Sequence, residues 1–462
     1  MNKHDRIYLS LPIPLQQLAV AAYGLGWYKR RFSKHFHQYV SEFKNRESWN
    51  ETQFRAYQED RLKKILMVAA NSTYYQEIFS QNGLQPEEID LSGINKVPFL
   101  TKDTLREKYR DLLTTTSIPR GTIIQKSSGT TGTPSFIYYT KEFHALELAV
   151  SEARNLNWAG VNYRDRRVMF GVRKVCAFDQ NKPPFWRYSP VENMAYGSIY
   201  HLSPKFLPFY LEFLHSYQPS IIMGYPSALF SIAKFSLDNN DFPPPAKAVI
   251  TMAETLDERA RQVIEQVWKT KIFDRYGAVE GCVFASQCEY GNYHVSPEIG
   301  FIEIIDKDGN PCPPGVMGEV ICTGLQNTLQ PLIRYRIGDV ARWALDQKCK
   351  CHRQMPILER IEGRYEDLCL TSDGREILRF DTVFKGITSI KEAQIVQQAI
   401  DHFDVFVVPT VGFSQNDIEK IRNNMKSHVG DCNIQVKTMQ QIERDPSGKF
   451  RAVKSNVKRD LL

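Results

Sequence analysis

The sequence predicts an α/β fold built from more than one domain, and three features carry that expectation. Between residues 100 and 300, short β-favouring runs alternate with segments of helical period; near 300 the texture changes to Gly- and Pro-punctuated hairpins; after 363 the alternation restarts. A length of 462 residues also exceeds one core at roughly 100–200 residues per domain. Hydrophobic residues at 42% and charged residues at 24% are those of an ordinary globular chain, which excludes a disordered, collagen-like or integral membrane protein. The net charge of +7 forms no basic stripe beyond a short C-terminal one, so no nucleic-acid partner is expected. A mild positive balance suits anionic small molecules equally well. Nine cysteines, an odd number with no secretory signal, predict a cytoplasmic protein without a disulfide framework.

Taken in order, residues 9–28 lean apolar and run into Lys29, Arg30 and Arg31, but Pro12, Pro14, Gln16, Gln17, Gly24 and Gly26 interrupt them. A spanning helix needs about 20 predominantly apolar residues. The expected reading is a segment packed on the body of the protein, with weak membrane-surface association as the alternative. Residues 52–82 predict a helix, with Leu62, Ile65, Leu66 and Ala69 at helical spacing and Gly83 as its stop. Strands are predicted at 168–172, 221–223, 248–250 and 271–275, separated by helices at 141–159, 204–217, 226–238 and 256–268, in a mainly parallel layer. The runs at 301–305 and 318–323, joined by Asp306-Lys307-Asp308-Gly309-Asn310, predict a hairpin in a small antiparallel unit at about 296–365. Helices at 391–400 and 415–428 with strands at 405–408 and 434–439 predict a small α+β domain. The expected division is 1–365 and 366–462.

The strongest chemical signal is Ser127-Ser128-Gly129-Thr130-Thr131-Gly132-Thr133-Pro134. Two glycines permit positive φ, so consecutive N–H groups can converge on an anion, and five hydroxyl side chains add donors without bulk. Alone, such a stretch is more often a polar turn, and it lacks the Gly-Lys-Ser/Thr ending of the common nucleotide loop. It is followed, however, by Tyr276-Gly277-Ala278-Val279-Glu280, by Tyr335-Arg336-Ile337-Gly338-Asp339, by Gly363-Arg364 and by Ser447-Gly448-Lys449. In that order and spacing the chain resembles the adenylate-forming superfamily of acyl-CoA synthetases, peptide-synthetase adenylation domains and luciferases. Its layout is similar to the phenylacetate–CoA ligase branch and its CapK-like relatives in capsule biosynthesis.

The resemblance implies an adenylate-forming fold with a mobile C-terminal domain, and a reaction of ATP with a carboxylic acid that yields an acyl-adenylate and pyrophosphate. It implies that Ser127, Ser128, Gly129, Thr130, Thr131, Gly132 and Thr133 grip phosphates and that Glu280 holds Mg²⁺, for which a carboxylate is a suitable hard ligand. Ala253, Glu254, Tyr276 and Gly277 would line adenine. Asp339 would accept from the ribose hydroxyls, and Arg364 would bond ribose or phosphate. Glu366 would be the hinge, and Lys449 would bridge carboxylate and α-phosphate as a mobile point charge. A non-catalytic binding protein on the same fold is the remote alternative.

Two departures bear on the reading. No lysine follows the phosphate loop, which leaves Lys126 or Lys141 to meet part of the phosphate charge, and Leu370–Phe380 does not match the Gly-containing segment that approaches the CoA thiol in many relatives. The acceptor therefore stays open between CoA and an amine or hydroxyl, including a sugar-linked acceptor in surface polysaccharide assembly. Cys288, His294, Cys349 and Cys351 are of the residue types that bind zinc, with Cys312 and His352 as spares; a structural site is expected if the two loops converge. An acyl pocket is expected within 170–200 and 221–254, a region that holds Phe170, Arg173, Trp186, Arg187, Tyr196, His201, Tyr225 and Ser227.

Overall fold

The computed structural model describes residues 3–126, 135–171, 173–364, 367–372, 376–377, 380–384, 387, 389–445 and 448–457. The chain divides into two compact units, Met1–Ile337 with Arg342–Arg360, and Gly338–Ala341 with Ile361–Leu462.

The first unit is organised by one twelve-stranded sheet. Its parallel half comprises Ile272–Gly277, Ala248–Met252, Ile221–Gly224, Arg167–Gly171 and Met194–Ser198, with Trp186–Ser189 antiparallel at the edge. Ala248–Met252 and Ile221–Gly224 are buried at every position, as strands covered on both faces must be. Alternate side chains feed two cores. Val168, Phe170, Ile222, Val249 and Ile272 pack on one face, and Ile221, Met223, Ala248, Ile250 and Phe273 on the other. The connecting helices Leu207–Tyr217, Pro226–Asn239 and Glu258–Trp268 fall where the apolar period predicts.

The antiparallel unit is not separate. Phe284–Gln287 pairs antiparallel with Ile272–Gly277, Tyr293–Val295 pairs with Phe284–Gln287, and Ile357 and Leu358 pair with His294 and Tyr293. The Gly300–Ile305 and Gly318–Gly324 hairpin completes the far edge in the expected register. The direction therefore changes at about 277, before the texture change that the sequence displays near 300. The helix expected over 52–82 is two helices, Glu51–Ala69 and Thr73–Gln81, because Ser72 turns out of the first and caps the second, accepting from Tyr75 N. The 141–159 helix is α-helical over Lys141–Ser151 and continues as a π turn over Glu152–Leu156, a form that often marks a functional position.

In the second unit a four-stranded sheet runs in the order Asn433–Thr438, His402–Pro409, Ile390–Ala399, Val453–Ser455, with the helix Gln415–Val429 packed on it. Residues 391–400 were expected to be helical and are a strand instead. Lys391-Glu392-Ala393-Gln394 and Gln397-Gln398-Ala399 are good helix formers, yet the segment pairs antiparallel with His402–Pro409 and parallel with Val453–Ser455. Ile390, Ile395 and Val396 are buried by those neighbours, so central pairing overrides local propensity.

One ion pair is deeply placed. Arg154 donates from Nη1 and Nη2 to the two oxygens of Glu298, at 2.7 and 2.5 Å, with both side chains fully buried. Arg154→Met leaves that carboxylate uncompensated and is expected to lower stability by about 3–5 kcal/mol. Urea unfolding reads the loss, and adding Glu298→Leu to the same chain should recover most of it.

Candidate active site

The C-terminal end of Ile272–Gly277 is where the sheet turns from parallel to antiparallel, and open α/β sheets bind ligands beyond the C-terminal ends of their strands. Tyr276 is half-buried, Gly277 exposed and Glu280 buried there. Tyr335 donates its hydroxyl to Glu280 Oε1 at 3.0 Å, which fixes the carboxylate and leaves Oε2 as a hard oxygen donor. Gly281 follows at φ +64, and a Cβ there would meet Tyr139 Oη and Phe143 Cζ at 2.7 Å, so the turn that presents Glu280 requires glycine. Tyr139 in turn donates to Val279 O at 2.6 Å.

At the end of Ala248–Met252, Ala253 has φ +68, a conformation that costs a non-glycine residue about 1–3 kcal/mol and often marks a working backbone. Ala253 is exposed and Glu254 half-buried. Glu254 Oε2 accepts from Ser227 N at 3.0 Å, at the start of the Pro226–Asn239 helix, so its carboxylate answers an orphan helix N–H. Asp339 is buried on the Tyr335–Trp343 strand and is grouped with the second unit. In that unit Lys449 is held by a local turn: Lys449 N donates to Asp445 Oδ1 at 2.8 Å, Asp445 N donates to Lys449 O, and Gly448 has φ +79. The strand Ile357–Arg364 ends at Arg364. Ser127, Ser128, Gly129, Thr130, Thr131, Gly132, Thr133 and Glu366 lie outside the described residues.

Several aromatic and basic residues of the expected acyl region prove to be core. Phe170, Tyr196, His201 and Tyr225 are buried. Arg187 is fully buried, with Nε on Gln16 Oε1 at 3.0 Å and Nη1 on the carbonyls of Pro184 and Trp186. Arg173 lies over the Tyr196 ring at 4.2 Å.

Sequence reasoning missed a polar group on the Lys141–Ser151 helix. Burial pushes the Glu147 carboxyl up to about 8, with Arg275 pulling the other way. Arg275, just before Tyr276, donates to Ser151 Oγ at 2.6 Å and lies against Met252 Sδ. Glu147 and Glu280 together raise the Tyr139 hydroxyl, after burial itself, which puts two carboxyl groups beside one ring. A glutamate three residues after a buried histidine, in a helix that buries Phe143, Ala145 and Leu146 as well, was the available signal.

The two cysteine loops converge. The candidate ligand atoms of Cys288, His294, Cys349 and Cys351 lie within 4.8 Å of one another. Cys288 Sγ is 3.6 Å from Cys349 Sγ, and Cys351 Sγ is 3.2 Å from His294 Nε2; ligands about 2.3 Å from a tetrahedral zinc stand about 3.8 Å apart. Backbone and amide donors point at the sulfurs, with Asn292 Nδ2 at 3.1 Å from Cys349 Sγ and Tyr290 N at 3.4 Å from Cys288 Sγ. His294 Nδ1 faces Met355 O at 3.3 Å, which directs Nε2 inward. Phe54, Trp158 and Met355 enclose the cluster. Cys312 and His352 stand outside it.

Known proteins resemble this chain in sequence and in fold. Residues 121–330 match the AMP-binding enzyme family and residues 369–456 match the CapK C-terminal domain. Together these matches support the adenylate-forming superfamily, and with it an ATP-dependent, AMP-forming ligase by class. Protein CapK of Staphylococcus aureus is 27% identical over 98% of this chain and 99% of that protein. The phenylacetate-coenzyme A ligase of Escherichia coli is 26% identical over 69% of this chain and 72% of that protein, and that of Thermus thermophilus is 25% identical over 68% and 71%. A solved structure of 2-hydroxyisobutyryl-CoA ligase with R3-HIB-AMP shares the fold, with a TM-score of 0.70 at 18% identity over 89% of this chain and 92% of that one.

A carboxyl raised from 4.5 to about 8 lowers stability as pH climbs between those values, because the unfolded chain releases a proton that the folded one retains. Glu147→Gln should therefore melt close to wild type near pH 5 and above it at about pH 8. Thermal unfolding at both pH values checks this; an equal gap at the two would contradict the assignment.

Proposed function

We propose that the protein joins a carboxylic acid to the α-phosphorus of ATP, releases pyrophosphate, and transfers the acyl group to CoA. The reading rests on one arrangement: Glu280, buried and oriented by Tyr335, at the strand end where the sheet changes direction. The substrate carboxylate oxygen attacks the α-phosphorus and the bond to pyrophosphate breaks, so the protein's task is positioning and charge stabilisation. Glu280 would hold Mg²⁺, which supplies neutralisation of phosphate charge when bound. Ala253 and Glu254 present backbone, and Tyr276 a ring face, to adenine; Asp339 accepts from ribose; Arg364 bonds ribose or phosphate; the Ser127–Thr133 loop grips phosphate oxygens.

Lys449 supplies the mobile positive charge between carboxylate and α-phosphate, delivered by movement of the C-terminal domain about Glu366. With the acyl-adenylate formed, a thiolate attacks its carbonyl carbon and AMP leaves. Nine described free cysteines are consistent with a reducing, cytoplasmic setting. Cys288, His294, Cys349 and Cys351 would hold a structural Zn²⁺, closed to substrate by its four protein ligands.

A second acceptor follows from one observation. The CapK relative spans the whole chain, and the C-terminal residues match the CapK C-terminal domain, whereas the phenylacetate-coenzyme A ligases align over about two thirds. That supports transfer to an amine or sugar hydroxyl in surface polysaccharide assembly, through the same adenylate.

Pyrophosphate exchange against a panel of carboxylic acids tests the first step, and total absence of exchange would instead support a non-catalytic binding role. Lys449→Ala is expected to lose roughly a hundredfold or more in exchange while ATP binding changes little, since its contact is made in the transition state. Mass spectrometry of the product formed with CoA or with amines decides the acceptor. Protein purified without a histidine tag should carry close to one zinc per chain, and Cys349→Ser with Cys351→Ser should lose it and melt lower. Less than about 0.2 zinc per chain would overturn that assignment.

A further inference from the structure

The helix Ile13–Arg31 turns polar residues inward alongside Val20 and leaves a row of leucines outside. Its inward face holds Gln16, which accepts from Arg187 Nε at 3.0 Å, Gln17, whose Oε1 accepts from Tyr188 N at 3.0 Å, and Gly24, set against Ser189 and Glu192. A surface helix ordinarily buries its apolar stripe and exposes its polar one. Here Leu15, Leu18 and Leu25 face outward with 47%, 65% and 47% of their surface exposed. With exposed Ala22 they form one stripe at spacings of three and four residues, about 15 Å long. Ile7 and Tyr23 are exposed as well, so five of the sixteen exposed large hydrophobic side chains among the described residues fall between 7 and 25. That concentration differs from the scattered exposure normal on a protein surface.

The charge around the stripe is one-sided. Lys29 lies one turn beyond Leu25 on the same stripe, Arg30 is next to it, and Lys34 opens the following helix, all three exposed. Arg31 is turned inward instead, to Glu192 at 3.2 Å. No acidic residue occurs between Asp5 and Glu42. No described helix is long and apolar enough to cross a membrane.

We propose that this helix lies on an anionic membrane surface, its leucine stripe at the acyl boundary and Lys29, Arg30 and Lys34 among the lipid headgroups. Long basic side chains at the end of an apolar stripe can keep their stems in the apolar layer and their charges at the headgroups. A second copy of the chain is the less suitable occupant, because its matching helix brings no acidic residue to face these cations. The proposal does not depend on the acid, the acceptor or turnover.

The test is flotation of the full chain with vesicles of phosphatidylcholine alone or with about 30% phosphatidylglycerol, at low and high salt. Binding is expected to the anionic vesicles, roughly tenfold or more weaker to the neutral ones, and diminished by salt. Lys29→Glu with Arg30→Glu should weaken it roughly tenfold or more, and Leu18→Gln with Leu25→Gln similarly, both with unchanged melting because the side chains are exposed. Failure to bind anionic vesicles, or binding indifferent to both variants, overturns the proposal. A dimer in solution that the leucine variants convert to monomer overturns it as well, and gives the stripe to a second copy.

Discussion

The first unit depends on how one helix is tied to the point where its sheet changes direction. Parallel and antiparallel halves of a sheet need different coverings, and at Ile272–Gly277 they meet. The Lys141–Ser151 helix and its π turn bridge the junction with three polar side chains. Ser151 accepts from Arg275, Arg154 grips Glu298, and Asn155 donates to Ser286 Oγ at 2.9 Å. Each partner lies on a different segment of the junction. Polar side chains this deeply buried are costly without partners, and each of the three finds one across the junction, which limits the alternatives. Arg154 and Asn155 are consecutive residues of the π turn and reach two different partners from it.

That tie explains how a working site and a cysteine cluster come to share one stretch of chain. Residues 276–281 leave the parallel half carrying Glu280, and the next strands return as the hairpin that carries Cys288 and His294. Cys349 and Cys351 arrive in the loop before Ile357, which pairs with His294. The cluster thus sits behind the strand whose far end presents Tyr276 and Glu280. A metal held there would stiffen the hairpin rather than meet substrate.

Legibility varied with how local each feature was. Tyr276 to Glu280 could be singled out because the whole motif occupies five consecutive residues and needs only a strand end and a turn. The cysteines could be recognised by type, but their approach to 4.8 Å depends on two loops about sixty residues apart. Glu147 gave only a faint signal for the opposite reason: one carboxyl in an apolar helix looks like a surface residue until two separate strands, one ending at Tyr139 and one carrying Arg275, come beside it. Arg187 went the other way. A basic residue in the region expected to bind substrate is completed by Gln16, 171 residues away, and belongs to the core.

What the sequence determined by itself was the alternation of elements, since apolar period is a property of the chain and survives any packing. The α/β class, four of the five parallel strands, their helices and the 300–324 hairpin follow from it. Tertiary structure alone decided three matters. The segment 390–399 became a central strand because neighbours on both sides buried Ile395 and Val396, a gain that local helix propensity cannot match. The antiparallel strands joined the parallel sheet rather than forming a unit of their own, since their edge found a partner in Ile272–Gly277. And the N-terminal helix turned its glutamines inward, because Arg187 and the Tyr188 backbone offered hydrogen bonds that no leucine could make.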